Sequence, residues 1–207
     1  MTPELRRLAR RTPGFLPEPE GDALHRWALE GARVGPLLEI GSYCGLSALY
    51  LGSAARAAGV LLFSIDHHRG SEEHQPGQAY HDPALTGADG RVDTLPRFRQ
   101  TLAEAGLEDT VVVMVGRSAA VAAAWRTPLG LVFIDGGHSQ AAADADYAGW
   151  APLVAEGGLL AIHDVFPDPA QGGRPPFVIY ERALSDGWRE VGATGSLRVL
   201  KRPSPAR

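Results

Sequence analysis

The chain reads as an α/β protein built on a Rossmann-like, doubly wound sheet that is mostly parallel and ends in an antiparallel closing strand. Three observations predict this. Short, nearly continuous apolar runs recur at 37–40, 60–65, 111–115, 131–134 and 159–162, as expected of parallel strands covered on both faces. Alanine-rich stretches of helical character separate them, from Ser47 to Ala58, Leu95 to Ala105 and Ser139 to Val154, and such alternation builds βαβ units. Near the end, Trp188-Arg189-Glu190-Val191 and Leu197-Arg198-Val199-Leu200 flank Gly192-Ala193-Thr194-Gly195, a hairpin signal that turns the last strand back.

The segments around this core follow in order. Arg6, Arg7, Arg10 and Arg11 lead into Pro13, Pro17 and Pro19, after which Leu24, Trp27 and Ala28 recur at helical spacing. Residues 1–35 are therefore expected to form an arm and a covering helix, residues 36–202 the domain proper, and 203–207 a tail. A helix is expected around 177–184. The stretch 67–92 has no clear period and is long for a βα connection. It carries His67, His68, His74 and His81, four of the seven histidines. Leaving the second strand, it is expected to fold over the site as a lid, with a solvated insertion or a subunit contact as the alternatives.

Composition narrows the class. With 207 residues there is room for one domain. Lys plus Arg total 20 against 24 Asp plus Glu, a net charge of -4, which disfavours nucleic acid as the main partner. A single cysteine, Cys44, excludes an internal disulfide framework. The N-terminus lacks the apolar stretch of a signal peptide and no run approaches the length of a membrane span, so a cytoplasmic protein with no membrane partner is expected. A homodimer is compatible with the arm but nothing requires it.

Ligands of open parallel sheets bind outside the carboxyl ends of the strands, at the point where strand order reverses. The turn after the first strand reads Glu39-Ile40-Gly41-Ser42-Tyr43-Cys44-Gly45-Leu46-Ser47. It lacks the Gly-x-Gly pair of a dinucleotide site and the Gly-Lys-Ser/Thr end of a phosphate loop. Glu39 would repel a pyrophosphate and attract a cation, while Asp66, ending the second strand, can accept from ribose hydroxyls. A nucleoside carrying positive charge suits both.

These residues resemble class I S-adenosylmethionine-dependent methyltransferases. Glu39-x-Gly41-x-x-x-Gly45 is similar to their glycine motif, and Tyr43-Cys44-Gly45-x-Ser47 is close to the form in catechol O-methyltransferase-like enzymes. The resemblance spans roughly Pro36 to Lys201 and implies a seven-stranded sheet. Carried over position by position, it places Glu39 and Gly41 at the methionine part of S-adenosylmethionine, Asp66 at the ribose and Ser118 at the adenine, with Ser42, Tyr43, Gly45, Ser47, His67, Arg117 and Asp135 as further cofactor-binding residues.

The fourth and fifth strands end in Asp135-Gly136-Gly137-His138 and His163-Asp164. Acids and a histidine converging on one rim suggest a divalent metal. In the resembling enzymes magnesium is held by an Asp after the fourth strand and an Asp-Asn pair after the fifth. Asp135 matches the first, and His163-Asp164 departs from the second, so Asp135, His163 and Asp164 are the expected ligands, with magnesium the first choice and manganese, iron or zinc also suited to an imidazole. His138 stands where those enzymes carry a lysine base and is the expected catalytic base. The resulting expectation is a metal-assisted O-methyltransferase acting on a hydroxyl of a small molecule. The alternatives are a metal-independent small-molecule methyltransferase using a histidine base, and a non-catalytic S-adenosylmethionine-binding protein.

Overall fold

The computed structural model describes residues 1–78, 80–137 and 139–203. Seven strands form one sheet: β1 (Leu37–Ile40), β2 (Leu62–Asp66), β3 (Val111–Val115), β4 (Leu129–Ile134), β5 (Val154–Ile162), β6 (Arg189–Thr194) and β7 (Leu197–Lys201). Their order is β3-β2-β1-β4-β5-β7-β6. β1 to β5 are parallel, and β7 enters antiparallel between β5 and β6. The expected fold class is what the structure shows. The hairpin fills the slot beside β5 with its second strand.

Among the described residues, seven helices cover the sheet: α1 (Pro3–Ala9), α2 (Glu18–Gly31), α3 (Leu46–Ala58), α4 (Leu95–Ala105), α5 (Ser118–Ala124), α6 (Gln140–Trp150) and α7 (Pro175–Ser185). Alternate residues along each strand feed opposite faces. Leu37 joins the core under α1 to α4 with Leu24, Leu49 and Phe98, while Leu38 and Ile40 join the one under α5 to α7 with Trp150 and Ile179. Burying a side chain such as Leu49 or Phe98 completely contributes about 1.5–3 kcal/mol, so both faces anchor the central strands firmly.

Two elements differ from the sequence reading. The arm begins with a helix, α1, because Thr2 accepts from the Leu5 amide and Pro3 occupies the first turn. Its arginines pair outward: Arg6 with Asp22, Arg10 with Glu18 and Arg11 with Glu104. The stretch 67–92 is folded rather than featureless, with short 3-10 turns at Glu72–His74 and Pro83–Leu85 and a bridge between Thr86 and Val92. Among the described residues no helix is long and apolar enough to cross a membrane.

Strand register sets the site. Ile40 pairs with Ile65 on one side and Ile134 on the other, and Ile134 pairs with Ile162. The next residue of each strand end therefore falls in one row, Asp66, Gly41, Asp135 and His163, with neighbours about 4.8 Å apart in the pairing direction. Backbone bonds carry the ladder into this row: Gly41 N donates to Ile65 O at 2.9 Å, Asp135 N to Ile40 O at 2.9 Å and His163 N to Ile134 O at 3.1 Å.

Candidate active site at the strand ends

The first half of the row is the glycine turn. Gly41 (φ 88°) and Gly45 (φ 94°) are left-handed, and a Cβ on Gly41 would run into the Asp135 carbonyl. Only glycine lets the turn lie against the end of β4. Asp66 ties the turn down, its Oδ2 accepting from the Ser42 and Tyr43 amides at 2.9 Å each and its Oδ1 from the His68 amide at 2.7 Å. Gly45 gives α3 no side-chain cap, so its N-terminal amides stay directed at the cleft. Tyr43, His68 and Asp164 are the described non-glycine residues with positive φ. All three lie just beyond strand ends on this rim, where backbone strain concentrates at working sites.

Glu39 sits beneath the turn and is fully buried. Register puts Ser64 beside it, and its carboxylate accepts from Ser64 Oγ at 2.6 Å and Ser47 Oγ at 2.8 Å. Burial raises its pKa to about 7, against the lowering effect of the two hydroxyls. Glu39 is thus a buried support under the turn, held by two seryl hydroxyls. Ser42 completes this layer, its Oγ 2.5 Å from Ser64 Oγ.

At the start of α5, Ser118 Oγ accepts from Trp150 Nε1 at 2.7 Å. Asp146 of α6 lies behind it, buried. Burial raises its pKa, and its hydrogen bond with Ser118 opposes that rise. Arg117 and His67 are exposed, and the His67 ring accepts from the Arg69 amide at 3.0 Å. The buried histidine here is His68, 2.8 Å from Thr94 Oγ1.

The second half of the row holds the acids and His163. One potential ligand atom from each of Asp135, His163 and Asp164 lies within 4.8 Å of the others, so the sequence reading brought the right residues together. The three residues together could hold a metal ion. His163 Nδ1 is 3.0 Å from Asp135 Oδ1 and Nε2 is 2.9 Å from Glu20 Oε2. With Nε2 donating to Glu20, the ring can donate from Nδ1 to Asp135 or, unprotonated there, offer Nδ1 to a metal. His163, expected as a ligand, is buried between these acids. Burial alone would lower its pKa, but Asp135, Glu20 and Asp164 outweigh that and push it up to about 11. Glu20 in turn resists the upward push of burial through His163 and Ser196 and stays below the usual carboxylate range. The Ser196 amide and hydroxyl reach Glu20 at 3.0 and 3.1 Å.

His138, the expected base, lies outside the described residues. Sequence reading missed Glu20 and Phe15. Phe15, between α1 and α2, sits with Tyr43, His74 and Tyr80 in an aromatic group with centroid separations of 5.1 to 6.4 Å. That group joins the N-terminal segment, the glycine turn and the histidine-rich stretch at one mouth.

A family model described as a methyltransferase domain matches residues 38–165. The O-methyltransferase TomG from Streptomyces achromogenes, solved with S-adenosylmethionine, has a TM-score of 0.66 at 17% identity, covering 99% of this chain and 91% of that one. An O-methyltransferase from Bacillus cereus in complex with SAH gives 0.65 at 17%, covering 98% and 92%, and the SAH-bound Podospora anserina methyltransferase PaMTH1 gives 0.68 at 13%, covering 99% and 89%. Identities this low show a shared fold, and the match to the family model, spanning β1 to the end of β5, shows the family. The chain belongs to the methyltransferase domain family and is a class I S-adenosylmethionine-dependent methyltransferase.

Proposed function

We propose that the protein methylates a hydroxyl of a small molecule. The contact of Gly41 with the Asp135 backbone carries the reading: it puts a donor held by the glycine turn directly beside the carboxylates ending β4 and β5. Glu39, Gly41, Ser42, Tyr43, Gly45 and Ser47 form the methionine end of the donor site, Asp66 and His67 the ribose end, and Arg117 and Ser118 the adenine end, with Asp135 at the boundary to the acceptor. S-adenosylmethionine supplies an electrophilic methyl on a cationic sulfur, which the acceptor oxygen takes as the hydroxyl proton leaves. His138, three residues beyond Asp135, is the proposed base for that proton; a positioned base contributes roughly 10²–10⁴-fold. Phe15, Tyr43 and Tyr80 present ring faces at the mouth and favour a planar, aromatic acceptor. The structural relatives named as O-methyltransferases support oxygen as the target.

A metal held by Asp135, His163 and Asp164 would add Lewis-acid polarisation of that hydroxyl, and no step is routed through it. The test is methyl transfer from labelled S-adenosylmethionine to matched phenol, amine and thiol acceptors, with products identified by mass spectrometry. A methyl ether formed preferentially, and lost in His138→Ala, is expected. Methylation of only the amine or the thiol would overturn the oxygen assignment.

A further inference from the structure

We propose that the protein forms a homodimer in which β3 pairs antiparallel with the β3 of a second copy, about a twofold axis at Val113, joining the two seven-stranded sheets into one. The proposal goes beyond the methyltransferase reading and does not depend on it.

The two edges of the sheet are built differently. The strand order leaves β3 at one end and β6 at the other. β6 is guarded, with exposed Arg189 and Glu190 and a break in register between Glu190 and Gly192, devices that keep a free edge from recruiting another strand. β3 has none of them. Val111-Val112-Val113-Met114-Val115 is apolar throughout, holds unbroken register with β2, and leaves Val112 38% and Val115 59% exposed. An exposed, regular, apolar edge is a template for strand pairing.

The pattern selects a second copy as the partner strand. Thr110 O accepts from Leu62 N and Gly116 N donates to Asp66 O, each at 3.0 Å, so alternation turns the backbone groups of Val112 and Met114 toward β2 and those of Val111, Val113 and Val115 outward. These outward positions are symmetric about Val113. An antiparallel copy centred there sets Val113 against Val113 and Val111 against Val115, outward groups against outward groups, as a self-complementary interface requires. The Val111 amide already donates to Leu107 O at 2.9 Å. The bonds left to form are a reciprocal pair between the Val113 residues and one from each Val115 amide to the opposite Val111 carbonyl. Charge agrees with this register. Asp109, just before β3, comes level with Arg117, just after it, on the other copy, and both are exposed, so opposite charges close the apolar pairing at each end. Since the strands run in opposite directions, the two strand-end rims face opposite ends of the dimer.

Sedimentation equilibrium of the full-length protein is the first measurement. At about 100 µM chain, where even a micromolar interface is saturated, wild type is expected at twice the mass of one chain. Val113→Pro removes an outward amide and none that β2 uses, and Asp109→Arg sets like charges level with each other. Each is expected to weaken dimerisation by about tenfold or more, with folding checked by the unfolding midpoint. Asp109 lies on an exposed turn, so Asp109→Arg decides if Val113→Pro does not fold. Cross-linking reads the register. Under mild oxidation a mixture of Val112→Cys and Met114→Cys chains is expected to form a disulfide that neither variant forms alone. Those positions face each other at about 4.5 Å between Cα atoms, a distance a disulfide spans, whereas like positions lie about 7–8 Å apart. Cys44 is buried and takes no part. A wild-type mass other than twice one chain, a dimer unaffected by both substitutions, or cross-linking in either cysteine variant alone as fast as in the mixture would each overturn the proposal.

Discussion

The two halves of the strand-end row handle buried negative charge in opposite ways. Under the glycine turn, Glu39 and Asp66 are satisfied by neutral donors, two seryl hydroxyls and three backbone amides. At the ends of β4 and β5, Asp135 and Glu20 are satisfied by a charged ring. Neutral donors leave the formal charge of an acid in place, whereas a cation cancels it. The acids under the turn thus lean on dipoles, and those at the ends of β4 and β5 on a ring that can carry charge.

The largest effect should come from removing the cation. His163→Ala leaves Glu20 and Asp135 without their shared partner, and breaking a buried ion pair costs about 3–5 kcal/mol, readable as a shift in urea unfolding at neutral pH. The sign with pH is defined by both partners. The pKa of His163 is raised in the fold, so its contribution is complete below the unfolded value near 6.5 and is lost as pH rises through about 11. Glu20 is depressed, so its contribution is present above its unfolded value and lost as pH falls through the folded one. Wild type and His163→Ala should therefore differ most across neutral pH and converge toward both extremes.

Substituting the other buried acid should act in the opposite direction. Glu39 is raised to about 7, so the folded protein binds more protons than the unfolded chain between about 4.5 and 7, and stability falls as pH rises through that interval. Glu39→Gln removes the penalty, and near pH 8 it is expected to stabilise the cofactor-free protein by up to roughly 3 kcal/mol. A cationic ligand favours the ionised carboxylate. S-adenosylmethionine should therefore bind wild type more tightly as pH rises toward about 8 and release a proton near pH 6 to 7, and Glu39→Gln should bind it more weakly with no such dependence. Calorimetry in buffers of different ionisation enthalpy measures that proton directly; equal proton release in the variant would place its source elsewhere.

How much of this contrast was legible in the sequence depends on how local each contact is. Strand ends, the Gly41 turn and the row from Asp66 to His163 follow from apolar runs and their register, which the chain encodes within each βα unit. The identities of Asp135, His163 and Asp164 as one cluster were legible for the same reason. Glu20 was not, because it stands behind Pro19 in the first turn of α2, where an acid serves any helix. Its partner is fixed only when α2 docks across β4 to β7. Without Glu20 in view, the buried hydrogen bond at His163 Nε2 was not legible either. Phe15 was missed on similar grounds, since an exposed aromatic between two helices joins Tyr43 and Tyr80 only after the histidine-rich stretch folds back.

Gly41→Ala probes the contact between the two halves. Its left-handed φ costs an alanine about 1–2 kcal/mol, and the added methyl meets the Asp135 carbonyl, which is backbone and moves only with β4. Displacing the turn weakens S-adenosylmethionine binding by about tenfold or more, tenfold being about 1.4 kcal/mol. Because Asp135 shifts with it, methyl transfer at saturating cofactor should fall as well. A variant with weaker binding but an unchanged rate at saturation would show the halves to be independent.

The smallest expected effect lies at the mouth. Phe15 and Tyr80 are 56% and 51% exposed, so truncating either removes little buried area and should leave the unfolding midpoint nearly unchanged. Their rings sit 5.3 Å apart, close to edge-on, and an aromatic pair of this kind is worth about 0.5–1.5 kcal/mol beyond its area. If an aromatic acceptor inserts against them, Phe15→Ala and Tyr80→Ala each raise its KM by roughly 2- to 10-fold, with S-adenosylmethionine affinity unaltered. An aliphatic alcohol should lose less, since it has no ring face to contribute. An equal loss for both acceptors would mean that the aromatic group closes over the donor, and the line between the halves would then run through Tyr43, whose amide belongs to Asp66 and whose ring belongs to the mouth.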